Sequence, residues 1–377
     1  MNLDYLVDIH LDGSSGKEKG SKEKAVRLAR MGETVRIWSL KGKKRGYVAR
    51  LCAMLWLESR YLISTLFARK KPDVVFTRSH FAFGSWAIGR IYRSVVVREV
   101  HTDMMGEFRL LYSKKRFLLP LLSLFNRYNL YFIKRADGVI FNNTQLEEYY
   151  VSQYGLSREK TITVPNGCDT RRFYPVNKLH ARKHCSLEAG KKYMLFIGSV
   201  SKWHGVEYLL KIQDDLSRRR NDIVLLIVGG HALSEANELK KKYPAGNTVY
   251  SGRVDYEKAL MYINAADVCL VPVHNVRVSP GSPIKLYDAV ACGKPVITQI
   301  DTPGYSDITE EYSLGISCDF THTKEASEQI ATFLDTADYD HYQKHNREVA
   351  VRHLEWDIMM GRWIKFAQKL MDADDPG

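Results

Sequence analysis

The residues best suited to binding chemistry lie in the second half of the chain, in a polar loop that runs into a predicted helix. Gly281 and Ser282 belong to the loop, and the helix is predicted over residues 284–291. The unpaired N–H groups and the dipole of a helix start favour an anion, and Lys285 adds a positive charge within the first turn. Asp288, three residues later, lies on the same helix face. A cation for phosphate beside a carboxylate for sugar hydroxyls suits the diphosphate of a nucleotide; the alternative is a surface helix with an incidental ion pair.

The stretch from Pro280 to Thr298 reads PGSPIKLYDAVACGKPVIT, and it resembles the donor-site signature of retaining GT-B glycosyltransferases of the family-4 type (glycosyl transferases group 1). The residues that fit the signature S-P-x-K-L-x-E-x-x-A-x-G-x-P-V-I are Ser282, Pro283, Lys285, Leu286, Ala291, Gly293, Pro295, Val296 and Ile297. Two positions depart from the family pattern. Asp288 stands where the family usually has Glu, and Pro280 stands where the family has an earlier Glu.

The resemblance implies an α/β fold of two Rossmann-like doubly wound domains that face each other across a cleft. Predicted strands and helices alternate throughout the chain, as such domains require. The implied division is an acceptor domain over residues 1–166, a linker over 167–190, a donor domain for a nucleotide sugar over 191–355, and a C-terminal helix over about 356–377 that crosses back to the first domain. Asn166 and Gly167, a turn-forming pair, mark the expected hinge.

A second stretch, residues 196–206, resembles the strand–loop–helix in which the family holds the donor diphosphate with an Arg and a Lys. Ser199 replaces the Arg, His204 occupies the Lys position, and Lys202 is a nearby substitute cation. The resemblance therefore implies that Lys202 and His204 contact the donor phosphates together with Lys285. The resemblance also implies that Gly281 and Ser282 contact the donor phosphates and that Asp288 binds the ribose hydroxyls. The alternative for Lys202 and His204 is that they are solvated loop residues.

Two further positions acquire roles through the resemblance. The backbone at Arg253 and Val254 is expected to meet the nucleobase. His101 follows a predicted strand and, in the family, a His at this place lies between the donor sugar and the acceptor. Ligands sit at the carboxyl ends of parallel strands, although a lone His is more often structural. Asp103 or Glu107 could be the partner of this ring.

Length and composition agree with a two-domain globular protein. The chain has 377 residues and 45% hydrophobic residues, which suits two cores of ordinary size. The first residues carry acids where a signal peptide would be basic, and no apolar run is long enough to span a membrane. Six scattered cysteines favour a reducing cytosol, and no His, Cys or Asp cluster has metal-ligand spacing. We therefore expect a cytoplasmic protein that uses no metal or other cofactor.

The net charge is concentrated in the first half of the chain. Residues 1–175 contain 31 Lys and Arg against 16 Asp and Glu, a net charge of +15, whereas the remainder has a net charge of −2. An anionic partner is expected for such a half: nucleic acid, a membrane surface or an acidic substrate. The basic residues lack the interleaved aromatic platform of a nucleic-acid module, so no nucleic acid is expected. The dense clusters at residues 41–45 and 114–116 predict an anionic membrane surface; the alternative is that they aid solubility.

Together these features predict a glycosyltransferase that moves a sugar from a nucleotide-diphosphate donor, UDP-linked rather than GDP-linked. The expected acceptor is a glycolipid or a polysaccharide precursor. The retaining outcome is implied by the resemblance alone, and the reaction is expected to be metal-independent. The alternative function is a catalytically degenerate GT-B-like binding or scaffold subunit. It is supported by the positions at which the family has Glu, Arg or Lys and this chain has a different residue.

Overall fold

The computed structural model describes residues 1–12, 16–42, 46–112, 116–200, 204–230, 241, 246–274 and 281–374 of the chain. The chain divides into two units. The first contains Met1–Pro165 and the segment that begins at Trp356, and the second contains most of the chain between them. The stretch predicted as a linker, residues 167–190, belongs to the second unit and includes a helix at Lys178–His184.

The first unit is built on a six-stranded parallel sheet with the order β2-β1-β3-β4-β5-β6. Its strands are β1 (Asn2–His10), β2 (Thr34–Leu40), β3 (Val74–Arg78), β4 (Val95–Val100), β5 (Gly138–Phe141) and β6 (Thr161–Thr163). The helices between and after them are α1 (Gly16–Met31), α2 (Tyr47–Leu66), α3 (Phe83–Tyr92), α4 (Met104–Leu111), α5 (Leu119–Arg135) and α6 (Thr144–Tyr154).

The second unit repeats this plan with the strand order β12-β11-β10-β7-β8-β9, again all parallel. Its strands are β7 (Lys192–Gly198), β8 (Ile223–Gly229), β9 (Thr248–Gly252), β10 (Val268–Val271), β11 (Val296–Gln299) and β12 (Gly315–Cys318). Its described helices are α7 (Lys178–His184), α8 (Val206–Arg219), α9 (Tyr256–Ala265), α10 (Ile284–Ala291), α11 (Ser306–Glu311), α12 (Thr323–Thr336) and α13 (Tyr339–His353).

The C-terminal helix, α14 (Trp356–Asp374), completes the core of the first unit. Trp363 is buried, and its ring centroid lies 6.3 Å from that of Tyr5 on β1 and 5.3 Å from that of Phe76 on β3. Trp356 is also buried. Aromatic side chains bury more apolar area than any others, so this helix contributes a large share of the apolar area in the first core.

The apolar runs of the second unit form its central strands. Met194, Leu195 and Phe196 are all inaccessible to solvent although they are consecutive, because parallel strands covered by helices are buried on both faces. Helix α8 covers them with a stripe at helical spacing that includes Leu209, Ile212 and Leu216. Two parallel sheets with flanking helices confirm the predicted α/β class.

Each sheet reverses its strand order at one point. In the first unit the reversal lies between β1 and β3, and in the second it lies between β7 and β10. At such a point the loops leaving neighbouring strands diverge to opposite faces and open a crevice at the carboxyl ends of the strands, where ligands bind. Within the part of the chain that the structure describes, no helix has both the length and the apolar character needed to cross a bilayer.

Candidate functional site

The start of α10 lies at the strand-order reversal of the second unit, and its loop is fixed by Asn166. The Asn166 N–H donates to Ser282 Oγ at 3.0 Å, and Asn166 Nδ2 donates to the Ser282 carbonyl at 2.7 Å. Ser282 Oγ also lies 2.8 Å from the Tyr287 hydroxyl. Gly281, with a φ of +92°, makes the turn before it. Ser282 therefore orients the first turn of the helix, and the predicted hinge residue Asn166 is part of that arrangement.

Lys285 turns from the first turn of α10 towards the end of β7. Its Nζ atom lies 4.1 Å from the centroid of the Phe196 ring, and a Cβ atom built on Gly198 would be only 3.1 Å from it. Nζ is buried and has no hydrogen-bond partner among the described residues. Burial lowers the pKa of Lys285 from its usual 10.5 to about 7. The alternative of an incidental surface ion pair therefore does not describe this side chain.

A buried ammonium group without an acceptor is an unfavourable arrangement in a folded protein. Leaving a buried donor unsatisfied costs about 1–3 kcal/mol, and more when the group is charged. The start of α10 adds N–H groups that no side chain caps, and these favour an anion for the same reason. The cation and the helix start together form an arrangement suited to an anion, and no described residue supplies the acceptor for the Lys285 ammonium group.

Glycines at the ends of two neighbouring strands bring backbone to the same edge of the sheet. Gly198 ends β7 with a φ of +143°, and Gly229 and Gly230 at the end of β8 have φ values of +117° and +101°. A Cβ atom on Gly229 would lie 2.1 Å from the Gly198 carbonyl oxygen, so only glycine fits there. Gly229 and Gly230 were not predicted as site residues; a Gly-Gly pair directly after a buried strand was the available signal.

His204 lies close to the same strand end. Its Nδ1 atom is 2.6 Å from the Ser199 carbonyl oxygen, and its ring centroid is 6.3 Å from that of Phe196. Nδ1 therefore donates to the carbonyl, which fixes the ring just before α8. Phe196 is thus flanked by two of the predicted phosphate-binding residues, Lys285 and His204. Lys202, the third predicted cation, lies outside the described residues.

The remaining predicted residues of the second unit lie along the same edge of its sheet. Asp288 is half-buried one turn after Lys285 on α10. Arg253 is exposed and Val254 is half-buried, directly after β9, which is the edge strand beyond β8. The nucleobase and phosphate residues of the prediction therefore lie at the carboxyl ends of strands of the same parallel sheet. Gly167, the other hinge residue, precedes Cys168, whose N–H donates to the Leu354 carbonyl at 2.8 Å.

His101 belongs to the first unit and sits in a buried polar network. Its Nε2 atom contacts the Glu99 carboxylate, and its Nδ1 atom lies 3.2 Å from Asn142 Nδ2. Burial, followed by the positive charge of Arg78, lowers the pKa of His101 to about 3. The ring is therefore neutral at physiological pH, with Nε2–H donated to Glu99 and Nδ1 accepting from Asn142. Such a ring can orient a substrate, but it is not poised to accept a proton.

The partner of His101 is Glu99, which was not singled out from the sequence. Asp103, one of the two residues offered for that role, instead caps α4 and accepts from the N–H groups of Met105 and Gly106 at 3.2 and 2.8 Å. Burial acts to raise the pKa of Glu99, but the charge of Lys24 and the hydrogen bond from His101 outweigh it and hold this pKa well below its ordinary value. Among the described residues, no group of His, Cys, Asp or Glu could hold a metal ion.

Comparisons with known proteins identify the class. The family model described as "Glycosyl transferases group 1" matches residues 179–349, and the one described as "Glycosyltransferase Family 4" matches residues 15–172. These two matches cover most of the chain, and solved structures with the GT-B fold superpose on 98–99% of it. The chain therefore belongs to the group 1 glycosyltransferases of the GT-B fold, as its donor-site signature indicated.

Individual relatives are distant. The chain is 24% identical over 230 residues to an uncharacterized glycosyltransferase of Methanocaldococcus jannaschii, covering 60% of this chain and 57% of that one. Sucrose-phosphate synthase from Thermosynechococcus elongatus superposes with a TM-score of 0.76 at 18% identity, covering 99% and 100% of the two chains. Anabaena HepE, solved in complex with UDP and glucose, gives a TM-score of 0.71 at 14% identity over 98% and 99%. The chain thus spans little more than half of the curated relative, and the two structural matches establish fold alone.

Proposed function

We propose that this protein is a glycosyltransferase that uses a nucleotide-diphosphate sugar, UDP-linked rather than GDP-linked. The observation that carries the proposal is the buried Nζ atom of Lys285, which has no hydrogen-bond partner among the described residues, at the uncapped start of α10. A diphosphate supplies the missing acceptor oxygens. It also meets Gly198 at the end of β7, where the backbone carries no side chain that would block its approach. HepE, which shares the fold, binds UDP.

The same residues suggest how the reaction is assisted. When the sugar–phosphate bond breaks, negative charge develops on the leaving diphosphate, and the Lys285 ammonium with the N–H groups of α10 would stabilise it. His101 would orient substrate rather than exchange protons, because its pKa of about 3 keeps the ring neutral. We propose on this basis that the transfer is metal-independent and that Asp288 binds the ribose hydroxyls; the proposal that it is retaining rests on the family resemblance alone.

Calorimetric titration with UDP and with uridine tests the donor site. Lys285→Met should weaken UDP binding by about 10- to 100-fold, since one charge-assisted contact is worth ~1.5–3 kcal/mol, and should leave uridine binding nearly unchanged. Lys294→Met is the matched control, because that buried lysine already donates to the Asn264 carbonyl at 2.8 Å and should not touch the nucleotide. Equal UDP affinity in wild type and Lys285→Met would refute the assignment.

The acceptor is proposed separately. We propose a glycolipid or polysaccharide-precursor acceptor at the cytoplasmic face of an anionic membrane, supported by the net charge of +15 over residues 1–175. Each Lys or Arg near an anionic leaflet contributes about 1 kcal/mol within a Debye length. The clusters predicted to do this lie largely outside the described residues. A panel of UDP-sugars with membrane-extracted acceptors tests it: binding of UDP without transfer to any acceptor would favour the scaffold alternative.

A further inference from the structure

Helices α2 and α5 of the first unit each carry a large apolar surface exposed to solvent. On α2, Trp56 is 67% exposed and Phe67, directly after the helix, is 85% exposed. On the segment that leads into and through α5, Phe117 is 79% exposed, Leu121 67% and Leu124 63%. Single exposed apolar residues are ordinary, but runs of them on one surface mark interaction sites.

In both helices the exposed apolar residues form a stripe opposite the buried stripe. Met54, Leu57 and Tyr61 are buried on α2, whereas Val48, Cys52, Trp56 and Ile63 are exposed at spacings of about one turn. On α5 the buried residues are Leu122, Asn126, Asn129, Phe132 and Ile133. Leu121, Leu124 and Tyr131 lie on the other side. Both helices are therefore apolar on two sides, one facing the core and one facing outward.

The two stripes belong to one surface. Helix α3 contacts both helices, and the connections from β2 to β3, β3 to β4 and β4 to β5 run in the same direction across the sheet, so right-handed crossovers place α2, α3 and α5 on one side of it. The Phe81 ring, just before α3, lies 5.3 Å from that of Phe125 on α5, and Trp86 on α3 lies 6.0 Å from Phe132. These contacts hold α5 by its inner side and leave its outer side unpartnered among the described residues. We call the outer sides of α2 and α5 together the apolar-basic face.

The exposed charged residues of α2, α3, α5 and the described ends of these helices are all basic. The exposed basic residues of α2, α3, α5 and their ends are Arg50, Arg60, Arg69, Lys70, Arg90, Arg93, Arg127, Lys134 and Arg135. Glu58 is the one acidic residue of the three helices, and it is buried, accepting from the N–H groups of Ala82 and Gly84 at 3.1 and 2.9 Å. No acidic residue occurs between Glu107 and Asp137.

We propose that the apolar-basic face inserts into the interfacial region of an anionic lipid bilayer. Aromatic and aliphatic side chains flanked by Lys and Arg are the signature of helices that lie in the membrane interface. A second copy of the chain is disfavoured as the occupant, since self-association would bring identical positive charges together. The inference deepens the membrane part of the proposed function and rests on it, but it is independent of the donor site.

The test uses the full chain and vesicles of phosphatidylcholine with or without phosphatidylglycerol. Two variants remove the apolar side chains and keep every charge: Trp56→Ser with Phe67→Ser, and Phe117→Ser with Leu121→Ser and Leu124→Ser. The matched control is Leu179→Ser with Val351→Ser, which removes two exposed apolar residues of the second unit. Thermal unfolding and UDP titration verify that each variant is folded.

Wild type should cosediment with the anionic vesicles and much less with the neutral ones. Each face variant should bind about ten-fold more weakly or worse, because buried apolar area is lost, and the control should bind like wild type.

Cys52 is exposed on the α2 stripe while the other five cysteines are buried. An environment-sensitive fluorophore attached there should therefore shift to the blue on anionic vesicles only.

The remaining outcomes overturn the inference in distinguishable ways. Face variants that bind like wild type would show that membrane binding is purely electrostatic and does not use these apolar side chains. Absence of wild-type binding would remove the membrane proposal as a whole, and UDP titration would still decide the donor site. A wild-type dimer that both face variants dissociate would assign the face to a second copy of the chain.

Discussion

The two units each bury a lysine near the carboxyl ends of their strands, and the surroundings of these two lysines differ. Lys24 in the first unit contacts the Glu99 carboxylate and lies 5.2 Å from the Trp363 ring centroid and 3.4 Å from His101 Nε2. Lys285 in the second unit has an aromatic ring beneath it but no hydrogen-bond acceptor among the described residues. The charge of Lys24 is neutralised by Glu99, whereas no described residue accepts a hydrogen bond from Lys285. A buried cation therefore indicates a binding site only when the surrounding protein does not already provide its hydrogen-bonding partner.

The largest expected difference is in stability. Lys24→Met should destabilise the protein by about 3–5 kcal/mol, because it leaves the buried Glu99 carboxylate without its cation. Lys285→Met should instead stabilise the free protein by about 1–3 kcal/mol near pH 7, because it removes an unsatisfied buried donor. Denaturant unfolding of both variants measures this. The comparison fails if the two substitutions shift the free energy of unfolding in the same direction.

The pH dependence of UDP affinity gives an intermediate effect. With a pKa of about 7 in the free protein, Lys285 loses its proton as the pH rises, and a bound diphosphate must restore it. Affinity should therefore decrease above pH 7, by up to about ten-fold per pH unit until the pKa of the bound state is reached. Titrations from neutral to alkaline pH measure the slope, and Lys285→Met should show none. A flat wild-type profile would mean that Lys285 stays charged without the ligand.

The smallest expected effect concerns the carboxylate beside Lys285. Asp288→Asn should reduce UDP affinity by about 0.5–1.5 kcal/mol, since a neutral amide keeps part of the hydrogen bonding to ribose hydroxyls. Asp288→Glu, the residue usual in the family, should bind UDP like wild type. Unchanged affinity for UDP in the Asn variant would assign Asp288 to the protein's own interactions.

The start of α10 was largely predictable from sequence because its geometry is local. The loop, the helix start and the spacing of Lys285 and Asp288 lie within eight residues, so helix periodicity alone sets their relative positions. What periodicity could not supply is the direction of the Lys285 side chain, which depends on the distant Phe196 and Gly198. The Gly229–Gly230 pair was not predicted for the same reason: the requirement for glycine at Gly229 depends on the neighbouring strand end at Gly198.

The partner of His101 could not be predicted from sequence because tertiary packing determines which carboxylate contacts the ring. Asp103 and Glu107 are close in sequence, but Asp103 is used by the helix that it starts. Glu99 points to the same region from within β4 and is neutralised by Lys24 on α1, far along the chain. The exposed stripe of α2 was hidden for a different reason: a helix that is apolar on two sides gives no periodic signal for which side is buried.

The docking of α14 into the first unit also constrains when that unit can form during synthesis. Trp363 is buried against Tyr5 of β1 and Phe76 of β3, which are synthesised long before it. The second unit is continuous in sequence apart from a short loop and can fold while the chain is still attached. The first unit must wait for its final helix. A chain that ends before Trp356 should therefore be able to form its second unit but not to complete the core of its first unit.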